Sequence, residues 1–331
     1  MIRFERGRKK LRAHDPLFLR GLRQRKHVLA RLMIGTSLLA FAWHDVSVEL
    51  GRQDRSYIAE SWFKSERGWR KEKIVLAVVS ILTASASGVT VATAFPNWNN
   101  ANNTVELIGG GGNGGMTTGA GCCLSITQPG GGGGGYRKIT NVSLSTTVNY
   151  IVGAASGATS FAGGLTATGG ASVTSAQTAA SAAGTGTFSG GTGAARNATS
   201  NAGSGGGGAG GLNGAGANGA QPATGNPAVG GAGGTGDATH GGAGGTTAGA
   251  NGGNGTEWTT AGSGGGGVGG QATSFGDAGK GGLYGGGAGG QGFGFNTSPY
   301  TPAGAQGVIV LTWVPVAGAT TKSINLAMLG F

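Results

Sequence analysis

Val105-Glu106-Leu107-Ile108-Gly109-Gly110-Gly111-Gly112 opens a glycine-dominated stretch, and Gly304-Ala305-Gln306-Gly307-Val308-Ile309-Val310-Leu311-Thr312-Trp313 closes it. Between Gly109 and Gly307 lie 69 of the chain's 77 glycines, with Ala, Ser, Thr and Asn filling much of the rest. Glycine buries no side chain and loses more backbone freedom on ordering than any other residue. Fixing a backbone costs about 1–2 kcal/mol per residue. Burial at about 25 cal/mol/Å² cannot offset that where large side chains are so scarce. Two states remain for the segment. One is a flexible low-complexity chain. The other is an array of close-packed extended strands held by backbone hydrogen bonds worth about 1 kcal/mol net each and by Cα–H···O contacts. Collagen is excluded, because the strict three-residue period is missing and the chain has only 8 prolines.

Composition divides the chain of 331 residues unevenly. Residues 1–73 hold 18 Lys/Arg against 8 Asp/Glu, a net +10; residues 74–331 hold 5 against 4, a net +1. A basic leader thus precedes a nearly neutral body that has too little charge to grip phosphates, so no nucleic-acid partner is expected. Charged residues make up 11% and aromatics 7%, low for a globular enzyme. Cys122 and Cys123 are adjacent. Ordinary disulfide geometry excludes their pairing with each other, and they give no zinc spacing. They read as free loop thiols or as an intermolecular bridge.

Taken in order, the chain falls into five segments. Residues 1–73 form the basic leader, with a helix expected from about Leu17 to Trp43 and a second, amphipathic one over Ser56–Lys73. It is either a docking or membrane-surface segment or a solvated leader, or it lies upstream of the natural start. Residues 74–87 contain the apolar run Ile74–Leu82 and then Ala84-Ser85-Ala86. A secretory signal, a membrane anchor and a buried strand all remain open for it. Residues 88–152 carry strands: Gly88–Phe95, Thr104–Ile108, and a hairpin of Tyr136–Leu144 with Thr146–Val152. Residues 153–307 are the glycine-rich region, and residues 308–331 are the closing strand Val308–Val314, stopped by Pro315, with an apolar tail.

Four landmarks now occur in sequence. They are Asn97-Trp98-Asn99-Asn100-Ala101-Asn102-Asn103 leading into Thr104–Gly112; Gly131–Gly135 before Tyr136-Arg137-Lys138-Ile139; Thr146–Ala154; and Gly304–Trp313. Together they resemble the glycine-rich domains of phage tail-fibre and tail-tip adhesin proteins and their prophage relatives. The resemblance covers roughly Gly88 to Pro315 and leaves residues 1–73 outside it. It implies a mainly β protein: a small β-module made by the flanking strands, from which the glycine segment projects as a polyglycine-II-like bundle. It also implies variable loops that bind a receptor on the host surface, either a polysaccharide or an outer-membrane protein.

Aromatic side chains are common recognition anchors. Trp258, Phe275, Tyr284 and Tyr300 are the receptor-binding candidates, set against the plainer role of covering the array's edges or seating it on the β-module. No catalytic constellation is present. Gly-x-Gly-x-x-Gly recurs by composition alone, and Gly279-Lys280-Gly281 lacks the hydroxyl residue of a phosphate loop. Asp237 and His240 have no third ligand or nucleophile, and Glu106 has no partner carboxylate. No metal or cofactor is expected. The function that follows is a non-enzymatic adhesin of the virion tail, attached to fibre or tail proteins or forming a homotrimer. The alternative is a secreted or membrane-anchored bacterial surface protein.

Overall fold

The computed structural model describes residues 5–6, 9–10, 46–47, 58–65, 68–75, 77–116, 127–173, 180–224, 231–237, 239, 241–245, 250–258, 261–270, 277–292 and 302–316. The chain forms two compact units, Met1–Val78 with Val314–Phe331, and Val79–Trp313. In the first, β1 (Glu5–Arg6) pairs with β2 (Lys9–Lys10), while β3 (Val46–Ser47), β4 (Ile58–Ser65) and β5 (Gly68–Val75) make an antiparallel sheet in that order. β4 and β5 are in register from Ile58↔Val75 to Ser65↔Gly68. The amphipathic helix expected over Ser56–Lys73 is therefore a hairpin. Trp62, Phe63, Trp69, Ile74 and Val75 are strand-forming types, and their preference prevails over the helical spacing of the charges. The helix expected over Leu17–Trp43 lies outside the described residues.

The second unit is mainly β, built on two antiparallel four-stranded sheets. Its elements are β6 (Val78–Leu82), β7 (Ala86–Thr90), a one-turn helix α1 (Val91–Ala94), β8 (Asn103–Ile108), β9 (Tyr136–Thr140), β10 (Thr147–Ile151), β11 (Thr159–Phe161), β12 (Leu165–Ala167) and β13 (Val308–Trp313). One sheet has the order β6-β13-β8-β9, the other β12-β11-β10-β7. Of the run Ile74–Leu82, left open among signal, anchor and buried strand, Ile74 and Val75 end β5 and Val78–Leu82 forms a strand at a sheet edge. Among the described residues no helix is long and apolar enough to cross a membrane. The strand expected over Gly88–Phe95 stops at Thr90, where α1 turns the chain and buries Phe95.

The hairpin expected between Tyr136–Leu144 and Thr146–Val152 does not form. β9 pairs with β8 in one sheet and β10 with β7 and β11 in the other. Asn141, with φ of 57°, takes the left-handed conformation and turns the chain out of the first sheet. Asn103 then pins the connector: its Oδ1 accepts from Val142 N at 2.8 Å and its Nδ2 donates to Val142 O at 3.0 Å. A side chain from β8 thereby steers the link that a tight turn would otherwise have closed.

β8 and β13 explain the two apolar runs that bracket the glycines. They pair antiparallel from Val308↔Ile108 to Trp313↔Asn103. Successive side chains point to opposite faces, and both faces are covered. Val105, Leu107, Ile309, Leu311 and Trp313 are buried. On that side Phe95 meets Trp313 and Phe161 edge-on, each at 6.2 Å. On the other face, Ile108, Val308 and Val310 cluster with Tyr136 and Ala209. A strand buried on both faces reads as an unbroken apolar run.

The glycine segments beyond this face follow one rule. Successive N–H groups of residues 130–135 donate to three different neighbours, and each neighbour is met again three residues later. Gly130 and Gly133 donate to Ala194 and Gly191 (3.1 and 2.8 Å), Gly131 and Gly134 to Ala288 and Gly285 (both 2.8 Å), and Gly132 and Gly135 to Ala171 and Thr168 (3.1 and 3.0 Å). Their carbonyls accept from further segments: Gly207 and Gly210 donate to Gly131 and Gly134, and Gly112 and Gly109 to Gly132 and Gly135. Residues 203–210 repeat the pattern, with Gly203, Gly206 and Ala209 donating to Gly270, Gly267 and Gly264. So do residues 264–270, where Gly264, Gly267 and Gly270 donate to Tyr284, Gly287 and Gly290. At Gly133, a Cβ would fall within 3.0 Å of the Gly208 carbonyl, a separation real Cβ atoms essentially never show. Glycine is needed there for close approach.

Candidate functional site

Two polar features stand on this frame. The first is buried where β8 and β9 meet the glycine segments. Pairing of Glu106 with Val310 places Glu106 on the face turned toward Ile108, Val308 and Tyr136. Its Oε1 accepts from the Tyr136 hydroxyl at 2.5 Å and its Oε2 from Trp258 Nε1 at 3.1 Å, with Lys138 Nζ at 4.0 Å. Burial, with the adjoining Glu106 carboxylate, pushes the Tyr136 phenol far up, so it stays a hydrogen-bond donor. The Tyr136 ring lies between those of Phe188 and Trp258, stacked at 6.1 and 6.5 Å.

Two more acids continue this region. Asp237 is 3% exposed, and its carboxylate accepts from Asn213 N at 2.8 Å, Asn213 Nδ2 at 3.2 Å, Thr239 N at 3.1 Å and Gly241 N at 2.9 Å. Glu257 accepts from Ser263 N at 2.9 and 3.0 Å and from the Ser263 hydroxyl, which itself accepts from Asp237 N. Burial raises the Glu257 pKa, and the hydrogen bonds from Ser263 oppose that rise. The lone pairs of these acids are occupied by backbone amides and side-chain donors of the fold. That is the chemistry of buried charge being satisfied. Among the described residues no three His, Cys, Asp or Glu side chains form a metal-binding group.

Trp258 and Tyr284 were expected at binding tips. Both are partly buried and pack against the Ile108–Tyr136–Val308–Val310 cluster. Trp258 also holds Glu106, so its first role is to seat the glycine segments on the sheet. Phe275 and Tyr300 lie outside the described residues, as do Cys122 and Cys123.

The second feature is an open cleft of about 530 Å³. Its lining includes Asn251, Asn254, Lys280, Leu283 and Gln306, over a floor of Gly and Ala that includes Gly252, Gly281 and Gly304. Asn251 and Asn254 stand three residues apart, and their Oδ1 atoms accept from Lys280 N at 2.8 Å and Leu283 N at 2.9 Å. Lys280 and Leu283 are again three apart, on the next segment. Gly281 N donates to Ala303 O at 3.2 Å and Gly285 N to Gln306 O at 2.9 Å, joining the third. Leu283 is 42% exposed. The aromatic criterion missed this cleft. Its signal in the sequence was Asn251-Gly252-Gly253-Asn254, two asparagines at the same three-residue interval that governs the hydrogen bonds.

No protein-family model and no curated protein matches the chain.

Proposed function

We propose that this protein is a non-enzymatic adhesin of the phage tail-fibre kind, binding a polysaccharide or outer-membrane protein on a bacterial surface. Its glycine segments form a polyglycine-II-like bundle carried on the two-sheet module. The observation that carries the reading is the return of each N–H to the same neighbour at every third residue. Chains with three residues per turn present their N–H groups in three directions. They can therefore be stitched together on all sides without a side-chain core. Such a body is narrow and stiff, and its connecting segments are free to vary, as binding loops on rigid scaffolds do. It would sit at the virion tail, joined to fibre or tail proteins or as a homotrimer. Phe275 and Tyr300 remain receptor-binding candidates on sequence grounds, with Trp258 and Tyr284 acting through the frame.

Export through a signal over 74–86 is the competing reading. Cleavage after Ala86 would remove β6, whose Val78 is 4% exposed and which borders β13. That consequence favours the tail reading. The test is co-sedimentation of the purified full chain with envelopes from a panel of bacteria, alongside mass spectrometry of purified particles. Saturable retention by at least one envelope is expected. Loss on periodate treatment would identify a polysaccharide, and loss on protease treatment a protein. Absence of saturable retention on every envelope, or absence of the chain from particles, contradicts the proposal.

A further inference from the structure

We infer that the cleft formed by residues 251–254, 280–283 and 303–306 is a binding site for an extended, carboxylate-bearing oligosaccharide, lying along the flank of the glycine body. The inference rests on the adhesin reading and assigns it a site and a ligand class. Three observations carry it. The first is preorganised donors. Because the Oδ1 atoms of Asn251 and Asn254 accept from the Lys280 and Leu283 amides, each side chain is held in place, and among the described residues its NH2 group has no acceptor and is left to donate. In an extended chain rising about 3.1 Å per residue, positions three apart stand about 9 Å apart. Two fixed donors at that interval suit a ligand that repeats along a line.

The second observation is the floor. Gly252, Gly281, Gly304 and Ala305 offer backbone and methyl groups with no side chain to displace, so the cleft is formed before binding and loses little freedom on binding. With Leu283 the single large apolar side chain in the lining, the surface suits the apolar face of a sugar ring and is too polar for a hydrocarbon ligand. The third is charge. Lys280 is the one charged residue in the lining, and among the described residues no carboxylate forms an ion pair with it. Asp277, one three-residue step back on the same segment, is not in the lining. An ammonium beside amide donors selects an anionic, hydroxyl-rich ligand.

The experiment is calorimetric titration of the full chain with a uronate-containing oligosaccharide and with its neutral analogue of the same linkage, at low and high salt. Lys280→Gln is the variant, because Lys280 is exposed and, among the described residues, its side chain makes no ion pair. An unchanged melting temperature will verify its fold. Preferential binding of the acidic sugar is expected, weakened about tenfold by Lys280→Gln and by added salt. No binding of the acidic sugar, or equal binding by the variant, overturns the site. Retention on envelopes that survives both Lys280→Gln and Gln306→Ala would overturn the site while leaving the adhesin reading intact. Loss of envelope retention in every form of the protein would count against that reading instead.

Discussion

Replacing Gly133 by Ala adds one methyl group at an enclosed position in the body. That Cβ is directed at the Gly208 carbonyl. Gly208 O already accepts from Gly191 N at 2.7 Å, and Gly133 N donates to Gly191 O at 2.8 Å. Three segments therefore meet at the point where room must be made. All three nearest atoms, O and C of Gly208 and N of Ala209, belong to backbone, so no side chain can swing aside. Overpacking costs about 1–3 kcal/mol. Separating the segments also weakens the paired bonds of Gly207 and Gly210 to Gly131 and Gly134, at about 1 kcal/mol each. The expected loss is about 3–5 kcal/mol. For a body of this size that lowers the melting temperature by about 10 °C. Gly164→Ala is the matched control. Gly164 sits in the turn between β11 and β12 with no heavy atom within 4 Å of its added Cβ. Its substitution should shift stability by less than about 0.5 kcal/mol. Differential scanning calorimetry of the two variants decides the matter. Equal melting temperatures would refute the argument from close approach.

Two further outcomes follow from the buried acids. Trp258→Phe keeps a ring against Tyr136 but removes the N–H donated to Glu106, leaving a buried carboxylate oxygen short of a partner. Urea denaturation should show a loss of about 1.5–3 kcal/mol, and an unchanged midpoint would place Trp258 outside the frame. Glu257 has its folded pKa raised by burial, so the native state holds its proton more tightly than the unfolded chain does. Native stability then falls as pH rises from the unfolded pKa through the folded one. The melting temperature of Glu257→Gln, measured against the parent, should accordingly climb between pH 4 and pH 7; a pH-independent difference would contradict this.

How far the sequence discloses this fold varies by element. β8 and β13 were readable because Val105–Ile108 and Val308–Trp313 are dominated by apolar residues on both faces, Glu106 and Thr312 being the exceptions, as suits strands covered on both sides. Their partners were not. Tyr136–Leu144 and Thr146–Val152 are close enough for a hairpin, and long-range contacts that the sequence does not announce, among them the Asn103 clamp across 39 residues beside the left-handed Asn141, send them to separate sheets. Ser56–Lys73 carries both helical charge spacing and strand-forming aromatics, and pairing with a neighbouring segment decides between them. Glu106 read as an isolated charge because its partners Tyr136 and Trp258 are distant in sequence, the latter by 152 positions. The search for binding residues by aromatic type led to Trp258 and Tyr284, which pack on the core. The proposed cleft is marked by asparagines, whose spacing follows a three-residue period that glycine-rich composition conceals.

The central claim is that main-chain hydrogen bonds hold the glycine segments in one arrangement. Hydrogen–deuterium exchange resolved over residues 128–135, 203–210, 264–270 and 285–291 measures those bonds directly. Slow exchange, comparable with that of β8 and β13, is expected throughout all four segments. Exchange there at the rate of an unstructured chain, with β8 and β13 still protected, would contradict the account.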